Sequence, residues 1–369
     1  MISSAPLSPC VLLSRVIGAL ALLVTAPAAL TSSAAEAASA PIPAVMRRVF
    51  DWQVAHPWST QRPLTDRHGN RGWVQGAFLT GVMEAYRATG DGGYLAYAQR
   101  TAEANGWELG ARELHADDHI VGQTYLELLE LAPDEAKLRR TATVLEKLLA
   151  EPVSGRELCW WCDALYMAPP ALAKMTRVTG DPRYLDAMDA WWWDAYLALY
   201  DPAEALFYRD KRFVFPKEGP KTFWSRGNGW VLAGLARLLD VLPADHGSRP
   251  RYVAVFQAMA ARVVALQPAD GLWRTNLLHP EAQHGEASGS GFFCYALAWG
   301  INHGILPAEN YRAAVDRTWT ALQGCVDEEG RLGWVQPIGF APGAYDATTS
   351  QEYGAGAFLA AGAEMMKLP

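Results

Sequence analysis

Charge is scarce in this 369-residue chain, where Asp, Glu, Lys and Arg make up 19% and no Lys/Arg-rich run occurs. The formal net charge of -7 leaves no basic footprint for a phosphate backbone, which argues against a nucleic-acid partner. Cysteine is scarcer still. Cys10 precedes the first apolar run, and only Cys159, Cys162, Cys294 and Cys325 follow it, too few to define a disulfide framework in so long a chain. Cys159-Trp160-Trp161-Cys162 has neither a second CxxC nor an HxxxH pair to complete a zinc site, so no metal is expected; whether these two cysteines bridge stays open. Long apolar runs are absent after residue 30, which leaves nothing in the rest of the chain to cross a membrane.

What is present is apolar and aromatic. Half of the residues are hydrophobic, and 15 Trp and 14 Tyr, most of them core as in any such chain, also point towards stacking surfaces. The run from Val16 to Leu30, with Arg15 ahead of it and small residues through Ala38-Ser39-Ala40 behind it, reads as a secretory signal cleaved after Ala40 or Ala37. The expectation is a leader over 1–40 and a secreted or periplasmic soluble protein over 41–369, with no Pro-, Gly- or Ser-rich linker to divide it.

An internal echo organises that mature chain. Thr89-Gly90-Asp91 with Tyr94-Leu95 recurs as Thr179-Gly180-Asp181 with Tyr184-Leu185, each reading as one helix ending at Gly and the next opening after Asp. Helical periodicity gives a charged set near Ala44–His56, Tyr94–Glu108, Glu135–Ala150, Arg183–Leu199, Arg251–Leu266 and Glu309–Gly324. A second set, rich in Ala, Gly, Leu and aromatics, falls near Trp73–Ala88, Asp118–Leu131, Asp163–Val178, Asn228–Val241, Ser290–His303 and Tyr353–Lys367. Six outer helices alternating with six inner ones make an all-α fold, an (α/α)6 barrel of six helical hairpins in a single domain.

The segments that enter the inner helices carry the unusual residues, and all six open at the same end. They include Arg71-Gly72-Trp73, His115 to His119, Cys159 to Asp163, Trp224 to Trp230, Glu286 to Gly291 and Thr349 to Tyr353. Polar groups interleaved with Trp at one mouth make a pocket suited to sugars, whose apolar faces stack on indoles while a guanidinium holds a carboxylate. Asp163 stands between an aromatic pair and an apolar run, surroundings that raise a carboxyl's pKa and fit it for general-acid work; an N-cap is the bland alternative. Asp118 invites the same two readings, with Asp117 as the likelier cap. Candidate substrate contacts are Trp224, Arg226, Asn228, Trp230, His119, Trp161, Arg209 and Trp73.

The ordered set of Asp117 to Tyr125, Asp163 to Pro170, Trp224 to Trp230, Asp270 to Arg274, Ser288 to Phe293 and Gly300 to Gly304 resembles the unsaturated glucuronyl and rhamnogalacturonyl hydrolases of glycoside hydrolase families 88 and 105. The resemblance runs from about Arg47 to the C-terminus. It implies an exo-acting enzyme that takes unsaturated oligosaccharides left by lyases and hydrates the C4=C5 double bond of their terminal uronic acid, without a cofactor. By resemblance Asp163 is the proton donor to C4 and Asp118 the second aspartate. One departure stands at Phe207-Tyr208-Arg209-Asp210, where rhamnogalacturonyl members tend to have a histidine. Three readings compete: an inverting glycosidase using two aspartates on saturated glycan, a sugar 2-epimerase, and a glycan-binding protein without activity. Oligomeric state is not encoded in any pattern found.

Overall fold

The computed structural model describes residues 41–57, 71–215, 219–280 and 284–369, so the expected leader lies outside the described residues. Twelve helices of eleven residues or more follow one another through them. In chain order they are α1 Ile42–Ala55, α2 Trp73–Thr89, α3 Gly92–Ala104, α4 Val121–Leu131, α5 Glu135–Ala150, α6 Pro169–Thr179, α7 Arg183–Leu199, α8 Ser225–Val241, α9 Arg249–Ala265, α10 Ala287–Asn302, α11 Ala308–Gln323 and α12 Glu352–Met365. None is long and apolar enough to cross a membrane.

Burial separates the two sets. Along α5 only Thr141, Ala142, Leu145 and Leu148 are buried, one stripe at helical spacing with charge on the remaining faces. Along α12 every residue is buried, and α10 is buried from Ala287 to Ile301. The even-numbered helices pack each against the next, and α12 closes the ring against α2. The molecule is therefore an (α/α)6 barrel, with the odd-numbered helices outside. Where the ring closes, a Cβ on Gly81 would lie 2.1 Å from the Gly356 carbonyl oxygen, so α2 and α12 meet backbone to backbone. The echoed Thr-Gly-Asp motifs both end helices: Gly90 and Gly180 take left-handed conformations at the C-termini of α2 and α6.

Two inner helices start later than their periodicity suggests. The expected Asp163–Val178 helix is a short turn, Ala164–Met167, followed by α6, because Pro169 has no N–H for a continuous ladder. The expected Asp118–Leu131 helix begins at Val121, behind a 3-10 turn over Ala116–Asp118. A small antiparallel hairpin, β1 Tyr200–Asp201 with β2 Leu206–Phe207, leads from α7 towards the entrance of α8.

A buried ionic cluster joins four consecutive inner helices at the end away from their N-termini. Arg237 on α8 donates to Glu84 on α2 at 2.8 Å, to Glu127 on α4 at 3.0 Å and to Gln123 at 2.7 Å. Lys174 on α6 lies 2.9 Å from Glu127, and Arg87 also bonds both carboxylates.

Candidate active site

The mouth of the barrel is the end where the inner helices begin. Asp163 stands at the head of the short turn ahead of α6 without a capping bond from its side chain, almost fully buried, with the Cys162 thiol 3.6 Å from its Oδ2 and the Arg209 Nε at the same distance. Burial raises the carboxyl's pKa, and the charges of Arg209 and Arg226 only partly oppose it. The strand-like pairing of Trp161 with Asp210, together with a bond from the Cys162 N–H to the Arg209 carbonyl at 2.8 Å, holds this turn against the segment that follows β2. Arg209 is thereby brought to Asp163 by backbone contacts. Its Nη1 donates to Asp210 at 2.8 Å, its guanidinium lies 5.2 Å from the Trp160 ring centre, and its buried Nε has no hydrogen-bond partner.

The second aspartate is where sequence and structure part. Asp118 is turned back into the wall, accepting from the Arg112 backbone N–H at 2.7 Å and from its guanidinium at 3.0 and 2.6 Å. A carboxylate so committed anchors the 110–118 loop, and it is the neighbouring Asp117 whose charge couples to Asp163. Asp117 stands in the same 3-10 turn with its side chain 18% exposed, and its pKa rises to about 7 through burial first and the charge of Asp163 second. Its Oδ2 is 3.7 Å from His115 Nδ1, and that imidazole packs on Trp161 at 4.7 Å between centres. Two desolvated carboxyls that feel one another hold their protons more tightly than free carboxyls do, and the charges of Arg209, Arg226 and Arg112 only partly oppose this.

The other expected contacts divide. Trp73 is partly exposed and stacks on Tyr353 at 5.2 Å, and Trp161 flanks Asp163 in sequence, so both sit at the mouth. His119 is fully buried: its Nε2 bonds the Glu113 carbonyl oxygen at 2.9 Å and burial lowers its pKa to about 4, which makes it a neutral part of the wall rather than a substrate contact. Asn228 spends its amide on the Phe207 N–H and C=O and on the Trp224 carbonyl, pinning β2 to α8, and has nothing left for a ligand. Trp230 lies beneath the mouth, packed on Phe292 at 4.1 Å and Tyr166 at 4.8 Å. Arg226 is 1% exposed, sandwiched between Trp224 at 4.4 Å and Tyr353 at 4.8 Å, with Nη1 and Nη2 donating to the Gln336 and Pro337 carbonyls. Both terminal nitrogens are spent on backbone carbonyls and only the buried Nε lacks a partner, while its charge works to lower the pKa of Asp163. Trp224 is covered by that guanidinium and donates from Nε1 to Gln336 at 2.8 Å.

Two residues outside the expected set organise this side of the mouth. Glu286 caps α10, accepting from the Ser288 and Gly289 N–H groups and from the Gln336 N–H at 2.9 Å. Gln336 links Trp224, Arg226 and the Tyr353 hydroxyl, and lies in an irregular segment without periodicity to betray it. The Cys159 and Cys162 thiols are buried and not bridged, with Cys159 pushed up to about 12 by burial.

The model of Glycosyl Hydrolase Family 88 matches residues 45–369. The chain is 44% identical over 349 residues to an unsaturated 3S-rhamnoglycuronyl hydrolase of Formosa agariphila, covering 89% of this chain and 91% of that protein. Among solved structures, a glycosyl hydrolase family 88 protein from Bacteroides vulgatus superposes with a TM-score of 0.79 at 30% identity, covering 90% of this chain and 99% of that one. A protein described as a polysaccharide lyase superposes with a TM-score of 0.80 at 34% identity, covering 90% and 97%.

Proposed function

Because this chain belongs to glycoside hydrolase family 88, we infer that it is an exo-acting hydrolase releasing the 4,5-unsaturated uronic acid from the non-reducing end of lyase-generated oligosaccharides. Its likeness to an unsaturated 3S-rhamnoglycuronyl hydrolase makes rhamnose the sugar expected after that uronic acid. The leader pattern over 1–40 supports export as the setting for such a substrate.

The observation that carries the chemistry is the pair of desolvated carboxyls, Asp163 and Asp117, beside Arg209. Protonating C4 of an enol ether requires an acid that keeps its proton near neutral pH, and burial gives Asp163 that property. As the proton adds to C4, positive charge develops at C5 and the ring oxygen, and an ionised Asp117 stabilises it. Water adds at C5 and loses a proton to the carboxylate that Asp163 has become. The resulting hemiketal opens to a C5 ketone, and the C1 hemiacetal expels the aglycone as an alcohol. Arg209, beside Asp163 and with a buried Nε that has no hydrogen-bond partner, holds the uronate carboxylate.

The direction of an ultraviolet change tests the reading. A hydrolase bleaches the absorbance of lyase-generated oligosaccharides and, in deuterated water, leaves deuterium at C4. A rise in absorbance from saturated polysaccharide would make the protein a lyase, and release of a saturated aryl uronide would make it an ordinary two-carboxylate glycosidase.

A further inference from the structure

Four free thiols are buried among the described residues. Cys294 and Cys325 donate to the backbone carbonyls of Val315 and Ala321, whereas Cys162 donates to the carboxyl of Asp163, its Sγ 3.6 Å from Oδ2. The backbone fixes that contact. The Cys162 N–H donates to the Arg209 carbonyl at 2.8 Å, and the Cys162 carbonyl accepts from the Leu165 N–H at 3.1 Å. Gly227, at the start of α8, leaves room for the sulfur, since a Cβ there would lie 3.0 Å from Sγ. Burial and the charge of Asp163 raise the thiol's pKa well above its ordinary value, so it remains a donor through the neutral range. The two oxygens of Asp163 are therefore not equivalent. Oδ2 meets the Cys162 S–H and lies 3.6 Å from the Arg209 Nε, so an acidic proton placed on it would point at donors.

Resting on the hydrolase reading above, we propose that Cys162 is a positioning residue for the proton donor: its thiol holds Oδ2 as an acceptor, which leaves the transferable proton on Oδ1. In the reaction the Oδ1–H bond breaks and its electron pair stays on Asp163, while the π electrons of C4=C5 form the new C4–H bond. The thiol keeps its own proton. Its contact with Oδ2 strengthens as charge appears on the carboxyl, because hydrogen bonds to an ionised acceptor are the stronger ones. A thiol is a weak donor, and that weakness suits the task. A hydroxyl in its place would favour the carboxylate more and empty the donor at lower pH, whereas no donor at all would leave a weaker acid. Other charges also face this carboxyl. Arg209 and Asp210 come from the segment after β2, Arg226 from α8, and Asp117 from the 3-10 turn, with Arg112, Asp118 and His115 about it. All of them remain in variants of Cys162, so the differences between those variants isolate the thiol.

The test is the pH profile of kcat on a lyase-generated unsaturated disaccharide for wild type, Cys162→Ser and Cys162→Ala. The alkaline limb, where Asp163 loses its proton, should move up by about half a pH unit in Cys162→Ala, the size of one weak hydrogen bond, and down in Cys162→Ser. The acid limb, set by Asp117, should move less. At its optimum Cys162→Ala should lose about threefold in kcat with KM nearly unchanged, and Cys162→Ser should keep kcat close to wild type. Thermal melts report the folded fraction, and the serine variant, nearly isosteric, carries the comparison if the alanine variant does not fold. In the infrared, the S–H stretch of Cys162, isolated by difference against Cys162→Ser, should fall in frequency over the same alkaline interval. Alkaline limbs that coincide in the three proteins, limbs that move the same way in both variants, or an S–H stretch that ignores pH each overturn the proposal while the hydrolase stands. A wild type that leaves every unsaturated uronide unchanged brings down both.

Discussion

Asp117 and Asp118 differ by one position in a 3-10 turn, where each residue rotates the side-chain direction by about a third of a turn. That rotation sends one carboxyl towards Asp163 and the other into a three-bond grip by Arg112. Asp163→Asn should keep the fold and the KM yet lower kcat by about a hundredfold or more, since the amide supplies no proton. Asp117→Asn should also lower kcat, by removing charge that favours the cationic transition state. Asp118→Asn should instead cost about 1–3 kcal/mol of stability with kcat kept in the folded fraction, a loss of hydrogen bonds and not of chemistry. Kinetics alongside thermal melts on the three variants check this; a catalytic defect confined to Asp118→Asn would return the role to that residue. The aromatic and apolar neighbours of Asp163 made it legible in sequence, whereas nothing in an Asp-Asp pair says which member faces inward.

Legibility at the level of elements follows periodicity. The outer α5 and α7 have the bounds that their amphipathic stripes suggest, and inner helices such as α10 announce themselves by the want of charge. The irregular pieces did not declare themselves: β1 and β2, two residues each, and the 334–337 segment, whose order comes from Glu286 at the head of α10. A cap residue that also bonds a distant backbone N–H transmits its loss. Glu286→Gln keeps one acceptor where the carboxylate used two, so the 334–337 segment should loosen and with it the Gln336 and Pro337 carbonyls that seat Arg226. The expected result is a fall in kcat/KM of about tenfold with a stability loss of about 1 kcal/mol, and no change in the pH at which activity declines. A purely local cap would lose the stability and keep kcat/KM.

At the scale of the whole barrel, two sets of carboxyls pull the stability curve in opposite senses. At the far end the cations around Glu84 and Glu127 hold both below their ordinary range despite burial. The unfolded chain binds more protons there than the folded one, so that stability is in place above about pH 4 and is lost on acidification. At the mouth the sign reverses. Asp117, raised to about 7, binds its proton more tightly folded than unfolded between about pH 4 and 7, so stability falls as the pH climbs through that window, and the raised Asp163 adds in the same direction. The wild-type melting temperature should therefore peak on the acid side of neutrality and decline towards pH 8. Asp117→Asn, which has no proton to lose, should match or trail wild type at pH 5 and exceed it by a few degrees at pH 8. The two carboxyls act on activity in opposite senses, since ionising Asp117 supplies the negative charge that favours the cation whereas ionising Asp163 empties the proton donor, so kcat should rise and then fall as the pH climbs. The comparison is a melt at pH 5 and pH 8 for each protein, set beside the wild-type kcat profile. Equal pH dependence of the two melts would mean that Asp117 ionises at an ordinary pKa, and the raised carboxyl at the mouth would fall with it.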